Sequence, residues 1–367
     1  MFEYAPLALN IITLIGSLTA LFGATVGLVQ NDIKKIVAYS TSSQLGYMIF
    51  SCGLSNYSAS FYHLINHACF KAALFLASGA LIHSLNDSQD IREMGGLASK
   101  IPYIYFTIVI ASLALAGLPF FSGAYSKDLI LEIGYLQATT LSRIAFIIGI
   151  IAAFITAAYS VRLIFLVFLR KPKISKLKVY KIKNLHDVDN IIIIPLVILI
   201  LGSIFSGSFL KEIFNYTQLV LFKQAIFILD NNLQPTIYCC IPTTIKWVPA
   251  ATSVFSILIT TYIYYYKPLL INFLLVTKLG LKIYKFFMNA WYFDYLYDKI
   301  WVLGFIKIAF TVYLTIDQGF IELLGPRGLL HLFSKTSLYS RNFYKGNIYE
   351  YIIFIIGSLS LLIFLIA

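Results

Sequence analysis

Residues 106–133 read FTIVIASLALAGLPFFSGAYSKDLILEI, an apolar run long enough to cross a bilayer but interrupted at its middle. Pro119 has no N–H to donate, and its ring collides with the preceding turn. Gly117-Leu118-Pro119, with Gly123 soon after, therefore predicts a helix that stops and restarts inside the membrane. Just past the break stand Lys127 and Asp128, with apolar residues on both sides. A lysine at that depth costs about 2.5–3.5 kcal/mol unless it finds a partner or a water-filled cavity. A broken helix carrying a charge near the bilayer centre is a construction used for ion pathways. The plainer reading of Lys127 is a side chain reaching from a short helix end to the interface.

The rest of the chain has the composition such a helix needs. Mean hydropathy is +0.83, with 59% hydrophobic and 12% charged residues among 367, which excludes a soluble domain. The fold expected is an all-α polytopic membrane protein of about eight transmembrane helices. The spans fall at 7–29, 36–54, 58–83, the broken 103–133, 141–169, 191–209, 247–266 and 351–367. Met1 to Pro6 carries no basic n-region, so the first apolar run reads as a span and not as a cleavable signal. The polar loop 211–246 leaves room for a surface helix at 216–229. Between the last two spans, 267–350 is apolar and aromatic yet regularly charged. Lys278, Lys282 and Lys285 share one face of a helix whose other face is Leu, Phe and Tyr. This reads as a long amphipathic region lying along a surface or a neighbour, interrupted at Gly325-Pro326.

Eight spans put the loops 30–35, 84–102 and 170–190 and the segment 267–350 on one side. That side holds 21 of the 28 Lys and Arg. The other holds Arg143, Lys211, Lys223 and Lys246, and the spans hold Lys71, Lys127 and Arg162. The bias orients the basic side toward the matrix or cytoplasm. It also accounts for the net charge of +12 without nucleic acid, since no basic, aromatic-interleaved patch occurs. Richness in Ile, Phe, Tyr, Asn and Lys, which have AT-rich codons, points to an organellar genome.

The third span, FYHLINHACFKAALF, carries His63, His67 and Lys71 four residues apart on one helix face. Three titratable groups on a stripe of an apolar helix suit a proton relay. Two other readings stand beside it. His63 and His67 form a metal pair, though no Glu follows the first His and no third ligand is placed; or the histidines are structural, bonded to neighbouring helices. Lys34 and Lys35 open the second span and read as interfacial anchors. Asp128 is placed to orient Lys127, and Arg162 to pair with Asp128 or Glu132. Cys52, Cys69, Cys239 and Cys240 have neither metal nor disulfide spacing. With no Walker motif, dinucleotide loop or cysteine cluster, no redox centre, nucleotide site or other cofactor is expected in this chain.

Six stretches carry a resemblance: QNDIKKIVAYSTSSQLGYM, HLINHACFKAALFLASGALIH, LNDSQDIREMGGL, LPFFSGAYSKDLILE, WYFDYLYDK and DQGFIELLGPRGL. Together they closely resemble subunit 5 of mitochondrial respiratory NADH:ubiquinone oxidoreductase (complex I), within the wider family of antiporter-like subunits. The resemblance implies two inverted five-helix repeats, each with one broken helix, and a hydrophilic axis along the mid-membrane. By motif, Lys34 or Lys35, His63, His67 and Lys71 fall on that axis. Lys127 falls on the second broken helix near the exit route. It implies a domain order of 1–170 as the second repeat, 171–267 as two further spans with loops, 268–349 as a lateral helix on the matrix side, and 350–367 as an anchoring span. The implied function is proton translocation coupled to NADH oxidation by ubiquinone in the mitochondrial inner membrane; a stand-alone cation/proton antiporter is the alternative. Nothing here matches the first repeat, so the chain is expected to be the C-terminal portion of a split or truncated subunit. A separate chain would then supply the missing helices. Other membrane-arm subunits, subunit 4 beside it, and lipids such as cardiolipin are the further partners implied.

Overall fold

The computed structural model describes residues 2–137, 139–171, 190–216, 226–229, 241–270, 276–343 and 346–366. Cys239, Cys240, most of the basic loop 170–190 and most of the surface helix expected at 216–229 lie outside them. The described residues are helical apart from short links, with one isolated backbone bridge between Asp32 and Asp90. They divide into two compact units, Met1–Trp291 and Tyr292–Ala367.

In the first unit, α1 (Pro6–Val29) starts with Pro6 in its first turn, where a missing N–H costs nothing. Asp32 caps α2 (Ile33–Gly53) by accepting from the Lys34 N–H at 2.9 Å, and Asn56 caps α3 (Tyr57–Ser84) by accepting from Ala59 N–H at 3.0 Å. Small residues draw α1 and α2 together. A Cβ on Gly23 would overlap the α2 backbone at Tyr39 and Ser43, and Ser43 Oγ donates to the Ala20 carbonyl at 2.8 Å.

The expected break is present. Helix α4 (Pro102–Ala116) ends on Gly117 at φ +79°, and α5 (Ser122–Leu136) follows. Gly117 and Leu118 N–H donate back to the Ala114 and Leu113 carbonyls, closing the end of α4. Helix α6 (Thr140–Ile164) runs into a π-helical turn at Phe165–Leu169. Helix α7 (Asn190–Tyr216) is tied to α3 by Tyr62 Oη to the Gly207 carbonyl at 2.6 Å and by Ser206 Oγ to Asn66 Oδ1 at 2.7 Å. Helix α8 (Thr243–Tyr266) is tied to α6 by Ser256 Oγ to the Phe154 carbonyl at 2.6 Å.

Two of the basic stretches, the loop between α1 and α2 and the loop after α3, are in contact. The Ile33 N–H donates to the Gln89 carbonyl at 3.1 Å, and the Ile91 N–H to the Asn31 carbonyl at 2.9 Å. Helix α9 (Lys278–Met288), with its lysine face, reaches the same end. Gln30 Nε2 donates to the Met288 carbonyl, and Trp291 Nε1 to Thr25 Oγ1 at 3.2 Å. Arg92 grips Asp90 at 2.6 Å in this loop layer and holds its carboxyl below the usual value. A depressed native pKa means stabilisation that is full above the ordinary Asp value of about 3.9 and is lost as pH falls through the lower native one. Amide exchange at Ile33 and Ile91 should therefore quicken slightly below about pH 4, and Arg92→Gln should erase that acid step. Both side chains are partly exposed, so the effect is small.

The second unit is a helical run over 293–324 with π turns at Tyr297–Val302 and Tyr313–Ile321, then α10 (Pro326–Phe343) and α11 (Ile348–Ile366). Seven helical runs among the described residues are long and apolar enough to cross a membrane: Pro6–Val29, Tyr57–Ser84, Thr140–Leu169, Ile191–Lys211, Thr243–Tyr266, Ala290–Leu324 and Ile348–Ile366. The tally differs from the eight expected spans in physical ways. Helix α2 is diluted by its STSSQ centre, and α4 and α5 are each too short alone. Ala290–Leu324 is added on its length and apolar composition.

Candidate functional site: a buried row of lysines and histidines

Helix α3 carries His63, His67 and Lys71 on its buried face, at 0%, 5% and 4% exposure. The four-residue spacing accounts for this, since it returns each side chain to the same stripe. Lys127, on the second turn of α5, is 2% exposed. Electrostatically, Lys71 is the charged neighbour of His67, and Lys127 that of His63. The order through the bundle is thus Lys71, His67, His63, Lys127.

Each of the four has different company. Lys71 Nζ donates to the Val37 carbonyl at 2.7 Å and to Ser40 Oγ, both on α2. That carbonyl also accepts from Ser40 Oγ at 2.8 Å and Thr41 Oγ1 at 3.0 Å, so the polar centre of α2 is a seat for the ammonium. His63 bridges two helices, with Nε2 3.1 Å from Gln44 Oε1 on α2 and Nδ1 2.9 Å from Ser126 Oγ on α5. Ser126 Oγ also donates to the Ser122 carbonyl at 3.3 Å, so this contact joins His63 to the first turn of α5. Both His63 nitrogens are thus engaged by neighbouring helices. The His67 ring lies 6.1 Å from that of His63 and edge-on to Phe70 at 5.3 Å. Its Nε2, with Gln44 Nε2, Asn66 Nδ2 and Ser122 Oγ, is buried without a hydrogen-bond partner among the described residues.

Lys127 Nζ donates to Thr156 Oγ1 on α6 at 2.9 Å and lies 5.1 Å from the centroid of the Tyr47 ring. The Tyr47 hydroxyl is fixed by the Gly149 carbonyl at 2.6 Å. Its aliphatic stem runs beside the break, where a Cβ on Gly117 would meet Lys127 Cδ at 3.7 Å. The ammonium-bearing chain thus passes the carboxyl end of α4, which favours a cation.

Asp128 is half-buried on the next position of α5, and Glu132, one turn on, is 8% exposed. Lys246 and Lys211, which the sequence places on the side away from the basic loops, act electrostatically on Glu132. Lys34 and Lys35 are exposed in the first turn of α2, outside the buried row. Arg162 does not pair with Asp128 or Glu132. It donates to the Gln30 carbonyl at 2.6 Å and to Asn31 Oδ1 at 2.9 Å, because the link between α1 and α2 leaves carbonyls that no helix satisfies. Gln44, Ser126, Thr156, Ser40 and Tyr47 do not stand out in the sequence as individuals; the polarity of STSSQLGY marks Ser40, Gln44 and Tyr47, and nothing marks Thr156 or Ser126.

Residues 1–156 match the family described as "NADH:quinone oxidoreductase/Mrp antiporter, TM", and residues 159–226 and 225–366 match "NADH dehydrogenase subunit 5 C-terminus". NADH-ubiquinone oxidoreductase chain 5 of Phytophthora infestans is 46% identical over 354 residues, covering 96% of this chain and 53% of that protein. The chain 5 of Metridium senile is 42% identical over 361 residues, covering 97% and 56%. That of Marchantia polymorpha is 39% identical over 365 residues, covering 99% and 54%. The chain thus spans about half the length of the curated relatives it matches. Among solved structures, a chain of the Mrp complex from Dietzia sp. DQ12-45-1b aligns with a TM-score of 0.51 at 21% identity. It covers 68% of this chain and 27% of that one, a likeness of fold.

Proposed function

This chain belongs to the NADH dehydrogenase subunit 5 family, and we propose on that premise that it carries protons through the membrane arm of respiratory complex I. The observation that supports this most is the buried row Lys71–His67–His63–Lys127, which ends beside a broken helix. Buried cations without carboxylate seats are costly, and a brace has no use for them. Ser40, Gln44, Ser126 and Thr156 supply hydroxyl and amide steps between the titratable groups, and the unpartnered nitrogens of His67 and Gln44 suit a path completed by water. From Lys127 the route continues through Asp128 and Glu132 toward Lys211 and Lys246, the face away from the basic loops. The basic loops face the mitochondrial matrix.

In this reading the chain supplies no redox centre or cofactor. Electron transfer elsewhere in the complex changes the charge next to the row, and the row answers by passing protons. Each proton driven against the potential costs about 2.3 kcal/mol per 100 mV. The rest of the family's length, in this polypeptide or another, covers the outer faces of α1 to α6. Subunit 4 and anionic lipids such as cardiolipin complete the surroundings.

Mild-detergent purification through this chain, followed by native electrophoresis with an NADH-dependent activity stain and mass spectrometry of the band, tests the proposal. The expected result is a very large NADH-oxidising assembly. A small assembly without flavin or iron–sulfur subunits would instead assign the row to a cation/proton antiporter.

A further inference from the structure

At the basic end of the first unit, α1, the loop after α3, α6, α8 and α9 enclose a cavity of about 1010 Å³. Its polar wall holds the cations Arg92, Arg162, Arg170 and Lys171 with the hydroxyl-bearing Tyr264 and Tyr284, and no carboxylate lines it among the described residues. Among the described residues, Arg92 has its counter-charge in Asp90, and no other cation of this wall has a carboxylate in contact. Arg162 is buried, and its bonds to the Gln30 carbonyl and Asn31 Oδ1 satisfy its hydrogens but not its charge. The opposite wall is apolar, made by Leu28, Phe165, Leu166, Leu169 and Ile263.

We propose that this cavity holds an anionic phospholipid, its phosphate on Arg162, Arg170 and Lys171 and the upper part of an acyl chain along the apolar wall. Three features of the cavity converge on that occupant. Three cations without carboxylates call for an anion, and guanidinium groups match phosphate oxygens in pairs. The volume is at the upper end for a drug-sized ligand and far exceeds a lone phosphate. The cavity sits where four helix ends and their loops reach the basic side, the level at which headgroups lie, and basic pockets between membrane helices on that side suit lipid phosphates. The site lies apart from the Lys–His row and does not depend on the proton-transfer reading. The lipid would neutralise a buried arginine and fasten α6, α8 and α9 together at their ends.

The test uses the intact detergent-purified assembly containing this chain. Native mass spectrometry counts retained lipids in the wild type, in Arg170→Gln/Lys171→Gln, and in Lys278→Gln/Lys282→Gln, which removes equal charge from α9 outside the cavity. Phosphatidylglycerol, phosphatidylcholine and inorganic phosphate are then titrated back after delipidation. The first double variant should hold phosphatidylglycerol about thirtyfold more weakly, roughly fivefold for each cation lost near an anionic headgroup. The α9 control should match the wild type. In the unmutated assembly, a photoactivatable phosphatidylglycerol should crosslink to Leu28, Phe165 or Leu169, a readout that needs no variant to fold. Equal affinity in all three proteins, phosphatidylcholine binding as well as phosphatidylglycerol, displacement of the lipid by millimolar phosphate, or crosslinks only elsewhere would each overturn the proposal.

Discussion

Replacing Lys127 by Met is expected to leave the bundle folded and to stop proton transfer along it. The side chain is 2% exposed and donates one hydrogen bond, to Thr156. Methionine keeps most of its length and apolar contact, and exchanging a buried charge for an apolar group of similar volume is often neutral or stabilising. Thr156 keeps a partner, because its hydroxyl also donates to the Ala153 carbonyl at 2.7 Å. What disappears is the group that can hold and release a proton between His63 and the Asp128–Glu132 side. A positioned proton-transfer group contributes about 10²–10⁴-fold, so pumping-coupled quinone reduction should fall by roughly a hundredfold or more. NADH oxidation by an artificial acceptor upstream of the quinone should remain intact, as should the amount of assembled complex. Lys71→Met should behave alike, whereas Lys127→Arg is not benign, since an arginine does not deprotonate. Undiminished pumping in both Met variants would remove the lysines from the route.

The parts of this site legible in the sequence are those fixed by local geometry. His63, His67 and Lys71 share a stripe because a helix repeats every 3.6 residues, and the break was visible because Pro119 and Gly117 have few backbone choices. The partners were not legible. Gln44, Ser126 and Thr156 lie on α2, α5 and α6, and only packing brings them to His63 and Lys127. Arg162 was misassigned for a related reason. Carboxylates are the obvious partners in a sequence, but the acceptors in reach were a backbone carbonyl and an asparagine in a link between helices. The lysine face of α9 opens the amphipathic region 267–350, read as helical pieces interrupted at Gly325-Pro326. That face stops at Met288, and the helical run beyond it is apolar enough to cross a membrane.

The second large effect expected is from Gly123→Val. Gly123 is in the first turn of α5, and a Cβ there would overlap the carbonyl oxygen of Ala114 in the last turn of α4. The obstacle is backbone, so no rotamer change relieves it, and the two half-helices must separate. Overpacking of this kind costs about 1–3 kcal/mol or more. Here the displacement is also transmitted to chemistry, because Ser126 and Lys127 follow within one turn and must stay in reach of His63 and Thr156. Gly117→Ala is the informative contrast. That glycine has positive φ, but a Cβ there would make only ordinary contacts, with Lys127 Cδ at 3.7 Å and Ala124 Cα at 4.0 Å. Only left-handed strain is added, about 1–2 kcal/mol. Gly123→Val should therefore sharply reduce the assembled complex seen on native gels and abolish proton transfer in what remains. Gly117→Ala should assemble with a modest loss of thermal stability. Equal behaviour of the two would mean that close contact between the half-helices does not set the position of Lys127.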